Sequence, residues 1–401
     1  QGLFIHPNAI KVLRQSIGLV NKALREDKEA NNLFLKILLS EKNAESTLRA
    51  MNETGVLGRF ILDFGKIVGL MQFNMYHHFT ADEHLLRAIG ELNKLFYSIR
   101  SNVPELIRDL IGQGLNKKIL TIALFFHDIA KGRDEDHSEV GALIVNRFSK
   151  RFSLTDYEVE TISWLVREHL VMSDFSQTRD IMDQKTIKDF SSIVQTPERL
   201  KLLLILTIAD ITAVGPDVWS AYKGQLLEQL YKETYTYLAG DILGNDREAR
   251  VKGRIEKLFS ETTIDKDNLF KQWIKNHSDQ YWLGLNNEII LRHTLMYVND
   301  FRKKPIIAIH NEEGMDTTEV SIMSKDSPGL FAKLTAAFSS MDINIVNAKI
   351  FTNKKGIAVD VIWIQDINNQ PIKEKMRLDR IKDNIISFVD GKKIIEDIPI
   401  S

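Results

Sequence analysis

The residues whose chemistry stands out are aspartates and histidines placed where the pattern predicts a helical core. An apolar run ends in adjacent His127 and Asp128 within the segment 124-LFFHDIAKG-132. Asp210 interrupts another apolar segment, 202-LLLILTIADI-211. An ionised carboxylate buried alone is costly, so each must be paired, hydrogen-bonded, protonated or bound to a metal. For Asp210, an internal salt bridge or a helix cap is the alternative to a metal.

Histidines and aspartates recur at inward positions of several predicted helices. A lone histidine on an apolar helix face is usually a core residue, but a set of imidazoles and carboxylates suits a transition metal. A cation held there lowers the pKa of water and polarises a phosphoryl oxygen. The pattern therefore predicts one or two divalent metal ions, Mn or Mg first, with Fe, Zn or Co as alternatives. The predicted ligands are His84, His127, Asp128, His137, His169 and Asp210.

Lys131 lies one turn after His127 and is predicted to approach a bound phosphate. The alternative is a solvated cation at a helix C-terminus, which the helix dipole favours by itself. The predicted catalytic residues are therefore His127, Asp128 and Lys131. His77 and His78 are interpreted as rim or surface residues.

The elements that must position these residues are predicted to be helices from the start of the chain to about residue 300. Apolar residues three or four positions apart indicate amphipathic helices. Capping-box patterns at Thr80–Glu83, Asp136–Glu139 and Thr155–Glu158 indicate helix starts.

The pattern changes near Pro305. Strands are predicted at Glu319–Ser324, Ile343–Phe351, Ile357–Ile364 and Ile394–Ile398, with helices after the first and third. This βαββαβ order is that of a ferredoxin-like domain. The predicted fold class is a mostly α-helical bundle followed by a smaller α+β domain.

The composition limits the classes of protein to which this chain could belong. The 401 residues carry a formal net charge of −1 and no cysteine. This balance argues against a nucleic-acid binder, and the lack of cysteine excludes disulfides and thiolate chemistry. No apolar stretch approaches the ~18–20 residues that a membrane span needs, and we expect a cytoplasmic protein.

The combination of His84, His127-Asp128 and Asp210 resembles the HD superfamily of metal-dependent phosphohydrolases. The surrounding sequence is similar to one family, the bifunctional uridylyltransferase/uridylyl-removing (GlnD) enzymes of bacterial nitrogen control. The similar segments include 49-RAMNETGVLGRFILDFGKIVGLMQFNMYHHFTADEHLLRAI-89, 127-HDIAKGRDEDHSEVGA-142, 165-LVREHLVMSDFSQTRDIMD-183 and 207-TIADITAVGPDVWSAYKGQLLEQLY-231.

The resemblance implies four parts in this chain. They are a helical region at 1–60 that follows an absent transferase domain, an HD domain at 61–240, a helical connector at 241–304 and an ACT domain at 305–401. We expect a fragment without the transferase domain and the last ACT domain, and hence without transferase activity.

The resemblance also implies the reaction and the site. His84, His127, Asp128 and Asp210 match the HD metal motif, His137 and His169 match the further histidines of two-metal HD proteins, and Asp128 would bridge the two ions. The implied substrate is the uridylylated PII signalling protein, and the implied effector is glutamine. A homodimer through the ACT domain is also expected.

An effector site is predicted in the ACT-like region. Amides after the turn Asp326–Gly329 could hold a carboxylate, and Asn344 could hydrogen-bond an amino acid; the alternative is a tight turn without a ligand. The predicted residues are Asp326, Gly329, Leu330 and Asn344. Two other functions remain open: an HD phosphohydrolase acting on a free nucleotide or cyclic dinucleotide, and a non-catalytic amino-acid-sensing module.

Overall fold

The computed structural model describes residues 6–71, 79–97, 104–215, 218–239, 245–260, 268–300, 305–311 and 315–393. The chain divides into two compact units. The first comprises Gln1–Trp219 and Lys223–Gly240, and the second comprises Ser220–Tyr222 and Asp241–Ser401. None of the described helices is long and apolar enough to cross a membrane.

The first unit is built from helices around one apolar core. They are α1 Pro7–Gln15, α2 Lys22–Glu26, α3 Lys28–Leu38, α4 Ala44–Glu53, α5 Val56–Phe60, α6 Leu62–Gly65, α7 Ala81–Tyr97, α8 Glu105–Gly112, α9 Lys117–Phe126, α10 His137–Phe148, α11 Asp156–Arg167, α12 Val171–Thr178, α13 Gln184–Val194, α14 Pro197–Val214 and α15 Ala221–Leu238.

Helix starts follow the capping signals of the sequence. The hydroxyl of Thr155 accepts the amide of Glu158, whose carboxylate accepts the amide of Thr155, so the predicted capping box is complete. Asp136 caps α10 by accepting the amides of Ser138 and Glu139. α7 begins directly after Thr80. These starts fix where His84 and His137 enter their helices.

α9 is the central helix of the first unit, because every residue from Ile119 to Phe126 is buried. It packs against α7, α11 and α14. Its α-helical residues end at Phe126, and the chain turns through Gly132, which has a φ of +77°. A Cβ at Gly132 would meet a methyl carbon of Leu70 at 2.7 Å, so both conformation and space favour glycine there.

The second unit combines helices with a four-stranded antiparallel sheet. Its elements are α16 Asn245–Ser260, α17 Asn268–Asn276, α18 Asp279–Gly284, α19 Asn287–Asp300, β1 Ile306–His310, β2 Thr318–Lys325, α20 Leu330–Ser339, β3 Asn344–Thr352, β4 Ile357–Gln365 and α21 Lys375–Val389. The strand order is β1-β2-β4-β3.

Both faces of this sheet are covered. Alternate residues of β4 belong to different cores: Val359 and Val361 pack with residues of α16–α19, whereas Ile362 and Ile364 pack with residues of α20 and α21. A strand that is covered on both faces has a continuous apolar sequence rather than alternating apolar and polar residues. The helices of the predicted connector therefore pack on the sheet that follows them.

From β1 to α21 the second unit has the order ββαββα. Its first strand, β1, was not predicted from the sequence. β1 pairs antiparallel with β2, with Ile306 opposite Met323. In the expected ferredoxin-like sheet this position beside β2 belongs to the final strand. The final strand predicted at Ile394–Ile398 lies outside the described residues.

Candidate metal centre

Five separate segments of the first unit bring the six predicted ligands together. His84 lies in the first turns of α7, His127 and Asp128 follow α9, His137 opens α10, His169 follows α11, and Asp210 lies in α14. His84, His127, Asp128 and His169 are each exposed by 1% or less. His137 and Asp210 reach the surface, with side-chain exposures of 27% and 15%.

His84, His127 and Asp210 form a first trio. The Nε2 atoms of His84 and His127 lie 3.2 Å apart. Oδ1 of Asp210 lies 2.9 Å from Nε2 of His84 and 3.4 Å from Nε2 of His127. Ligands about 2.1 Å from one ion are roughly 3.0 Å apart in octahedral and 3.4 Å apart in tetrahedral coordination. The spacing of the trio fits one divalent cation.

Asp128 contacts the first trio with one oxygen and a second trio with the other. Its Oδ2 lies 3.4 Å from Nε2 of His127 and 3.6 Å from Nε2 of His84. Its Oδ1 lies 3.6 Å from the Nε2 atoms of both His137 and His169. Asp128, His137 and His169 thus form a second trio that could hold a metal. Each oxygen of the Asp128 carboxylate therefore faces a different trio.

Two atoms of the second trio lack hydrogen bonds. Among the described residues, neither Oδ1 of Asp128 nor Nε2 of His137 has a hydrogen-bond partner, although both atoms are buried. Buried polar atoms in native proteins are nearly always satisfied. A carboxylate oxygen and an imidazole nitrogen facing each other 3.6 Å apart are a donor set that a divalent cation satisfies, so these residues fit a metal.

Backbone carbonyls orient two of the histidines. Nδ1–H of His127 donates to the carbonyl of Leu124, and Nδ1–H of His169 donates to the carbonyl of Val166, each at 2.8 Å. Because Nδ1–H is engaged by a carbonyl, Nε2 is the nitrogen that each ring directs at the centre. Metal-binding histidines usually have such a partner for their second nitrogen.

The carboxylates dominate the electrostatics of the centre. Burial alone would lower the pKa of His127, but Asp128 and Asp210 outweigh it and raise this pKa to about 10. His127 in turn holds the pKa values of Asp128 and Asp210 well below the ordinary value, against the effect of burial. The negative potential that retains a proton on His127 would equally attract a divalent cation, which must displace that proton.

Two comparisons with known families fit this geometry. Residues 3–60 match the family described as "Uridylyltransferase GlnD third domain". Residues 75–215 match the HD domain family. The two matches are those expected of a GlnD-family fragment with an HD domain. The HD match implies a metal-dependent phosphohydrolase, and all six predicted ligands lie within it.

Within the residues that match the HD domain, Lys131 lies at the centre rather than in open solvent. Its Nζ lies 2.6 Å from Oδ2 of Asp128, and its side chain is 22% exposed. His77 and His78 lie outside the described residues. The predicted ligand and catalytic roles of the clustered residues remain proposals.

The four residues of the predicted effector site do not converge. Gly329, with a φ of +76°, precedes α20, and Leu330 begins that helix. Oδ2 of Asp326 accepts the hydroxyl of Thr352, the last residue of β3. Asn344 is the first residue of β3, and strand geometry puts it roughly 25 Å from Thr352. Asn344 thus lies at the opposite end of the sheet from Asp326, and an effector role for this set stays a prediction.

The sequence analysis missed the polar residues that border the second trio. Glu168 and Asp174 line a groove beside His169. The available signal was the helical spacing of polar positions in α12, a helix on which no histidine lies.

Proposed function

We propose that this chain hydrolyses the phosphodiester between UMP and a tyrosine of the PII signalling protein, and that the two trios form its active site. The observation that carries the proposal is the division of the Asp128 oxygens between the trios. Two cations a few ångströms apart are the usual arrangement for hydrolysing a phosphodiester. The match to the GlnD third domain points to a uridylyl group as the substrate.

Divalent cations at the trios would supply a nucleophile from water and neutralise charge on the phosphoryl oxygens. In the reaction the bond from phosphorus to the tyrosyl oxygen breaks, a bond from phosphorus to a water-derived oxygen forms, and UMP leaves. Tyrosine has an ordinary pKa of about 10, so its oxygen departs without a strong general acid. The tyrosyl oxygen then takes its proton from solvent.

The chain's own residues have separate tasks in this proposal. Asp128 fixes the distance between the two trios, because both of its oxygens are engaged. The Nδ1 bonds to Leu124 and Val166 keep His127 and His169 from rotating. Lys131 places a positive charge beside Asp128, where it stabilises charge that develops on the phosphoryl oxygens.

The direct experiment gives the chain uridylylated PII with Mn²⁺ or Mg²⁺ and measures UMP release by chromatography. We expect release by the native chain and a loss of at least about 100-fold in the His127→Ala variant, since a metal ligand is removed. His310→Ala is the matched control, because His310 lies on β1 of the other unit. No UMP release by the native chain, with a known uridylyl-removing enzyme active in the same assay, would refute the proposal.

Binding of the metal gives an independent measurement. We expect Mn²⁺ to be retained by the native chain after dialysis and lost from His127→Ala, as measured by elemental analysis. Full retention of metal and activity by His127→Ala would rule out the metal role of His127.

A further inference from the structure

A groove with a volume of about 650 Å³ is lined by residues that are next in the chain to two histidines of the second trio. Its lining includes Asp136, the residue before His137, and both neighbours of His169, Glu168 and Leu170. The volume lies within the range of small-molecule sites. A substituent on a phosphodiester held at the second trio would therefore extend into this groove, which we call the α12 groove.

The lining of the α12 groove is acidic, with four carboxylates and one guanidinium, so its net charge is negative. Asp136 caps α10, and Glu139 forms a salt bridge with Arg167 at 3.0 Å. Among the described residues, the carboxylates of Glu168 and Asp174 form neither a hydrogen bond nor a salt bridge. These two groups are the acceptors that the groove offers to a ligand.

One face of α12, together with Leu170 just before it, presents both polar and apolar side chains. Leu170, Ser173, Asp174 and Gln177 are spaced by three or four residues and all line the groove. Leu170 is 49% exposed, which gives an apolar surface next to Asp174. The amide of Gln177 donates to the hydroxyl of Ser173 at 2.7 Å, so both groups hold fixed positions.

A second observation points to a ligand at the second trio itself. Oδ1 of Asp128 is buried, has no hydrogen bond within the described residues and faces His137 and His169. Those two histidines are the ones whose chain neighbours line the groove. A group bound at this oxygen would therefore lie close to residues that adjoin the groove.

We propose that the α12 groove binds the ribonucleoside part of the substrate, with Glu168 and Asp174 accepting hydrogen bonds from the ribose hydroxyls and Leu170 packing against an uncharged ring. This assignment rests on the proposed function for the identity of the nucleoside. Carboxylates are a recurrent means of binding ribose hydroxyls. The groove is a specificity site for a nucleoside monophosphate ester.

The negative lining also defines what the groove rejects. A nucleoside triphosphate or a cyclic dinucleotide would bring further phosphates close to Glu168 and Asp174, and like charges repel at short range. A nucleoside whose single phosphate lies on the cations brings only neutral groups into the groove. The groove therefore selects a nucleoside monophosphoryl group over polyphosphates.

Uridine itself is the sharpest probe, because it has no phosphate and binds without the metal centre. Equilibrium dialysis of the full chain with labelled uridine measures the affinity. We expect 2′,3′-dideoxyuridine to bind at least about tenfold more weakly than uridine, and Asp174→Asn to weaken the binding of uridine by a similar factor, as the loss of a hydrogen bond to a charged group predicts. Asp174→Asn should also reduce the discrimination between the two nucleosides.

Asp189→Asn is the matched control, because Asp189 is a half-exposed carboxylate on α13 that pairs with Arg179 and does not line the groove. It removes the same charge and should leave uridine affinity unchanged. Uridine binding that is absent, or that is insensitive both to the hydroxyls and to Asp174→Asn, overturns the assignment. Binding of a lysine-rich peptide in place of uridine, weakened by Asp174→Asn, would overturn it in favour of a basic protein segment.

The outcome is separable from that of the proposed function. Uridine binding as expected, without UMP release from uridylylated PII, would refute the hydrolysis and leave the groove assigned. UMP release together with equal affinity for uridine and 2′,3′-dideoxyuridine would refute the groove assignment and leave the hydrolysis in place.

Discussion

Oδ1 of Asp128 lies 3.6 Å from Nε2 of His169, while the other oxygen of the same carboxylate faces the histidines of the first trio. One side chain therefore contributes to both candidate cation sites, whereas His169 contributes to one. This difference leads to a test of how many metals bind.

Substitution of Asp128 should affect more metal than substitution of His169. We expect His169→Gln to bind about one Mn²⁺ fewer per chain than the native protein, and Asp128→Asn to lose nearly all tightly bound Mn²⁺, because the bridging ligand is removed. Elemental analysis after dialysis measures the stoichiometry. Equal metal content in the two variants would contradict a shared carboxylate.

Lys131 is expected to act on the chemical step rather than on substrate binding. Its ammonium lies 2.6 Å from Oδ2 of Asp128. We expect Lys131→Met to lower kcat for UMP release by on the order of 100-fold with little change in KM, the usual cost of losing one stabilising charge. Lys131→Arg should recover part of kcat. A change confined to KM would assign Lys131 to binding instead.

Two buried histidines of the second unit should make it sensitive to acid. Burial lowers the pKa values of His277 and His293 to about 3. Between their ordinary pKa of 6.5 and 3, the unfolded chain binds protons that the folded chain does not, so stability falls as pH decreases through this window. Urea unfolding followed by tryptophan fluorescence at several pH values measures the loss.

His277→Phe tests this acid sensitivity directly. The His277 ring lies 4.0 Å from that of Trp273, centroid to centroid, and phenylalanine preserves the aromatic contact. We expect this variant to lose less stability between pH 6.5 and 4, by on the order of 2 kcal/mol. His310→Phe, on β1, is the control. Parallel pH dependences for native and His277→Phe chains would mean that His277 does not remain neutral.

Gly141 is expected to control the approach of α10 to the centre. A Cβ at this position would lie 2.9 Å from Cγ1 of Val166 and 3.3 Å from the carbonyl oxygen of Phe126. Neither neighbour is a flexible chain end, so Gly141→Ala should destabilise the chain by about 1–3 kcal/mol. It should also weaken Mn²⁺ binding, because α10 carries His137.

Gly253→Ala in α16 is the matched control with the opposite expected sign. A Cβ there meets no atom within 4 Å, and alanine stabilises an exposed helix position by up to about 1 kcal/mol. The denaturant midpoints of both variants measure these changes in stability. A Gly141→Ala variant as stable as the native chain would show that α10 can shift without cost.

The helical unit and the clustering of its ligands could be predicted because each ligand marks its position locally. Asp210 interrupts an apolar helix, and His137 follows a capping residue. The division of the Asp128 oxygens could not be predicted, since it depends on side-chain rotamers that the packing of α7, α10 and α11 determines. The separation of Asn344 from Asp326 depends on strand register, which the apolar pattern of a doubly covered sheet does not reveal.

The missed strand β1 has a similar cause. Ile306–His310 is short, and its residues are only partly buried, so its pattern is weak without its partner β2. Edge strands obtain their structure from the neighbour that they join, and this information is not local.

Because alternate side chains of β4 pack into two different cores, the sheet cannot be separated from the helices on either face. A fragment that starts at Pro305 would remove α16–α19 and leave Val359, Val361 and Trp363 facing water. Such a fragment would aggregate or misfold even though its own helices α20 and α21 remained, so the boundary for expressing the sheet on its own lies before α16.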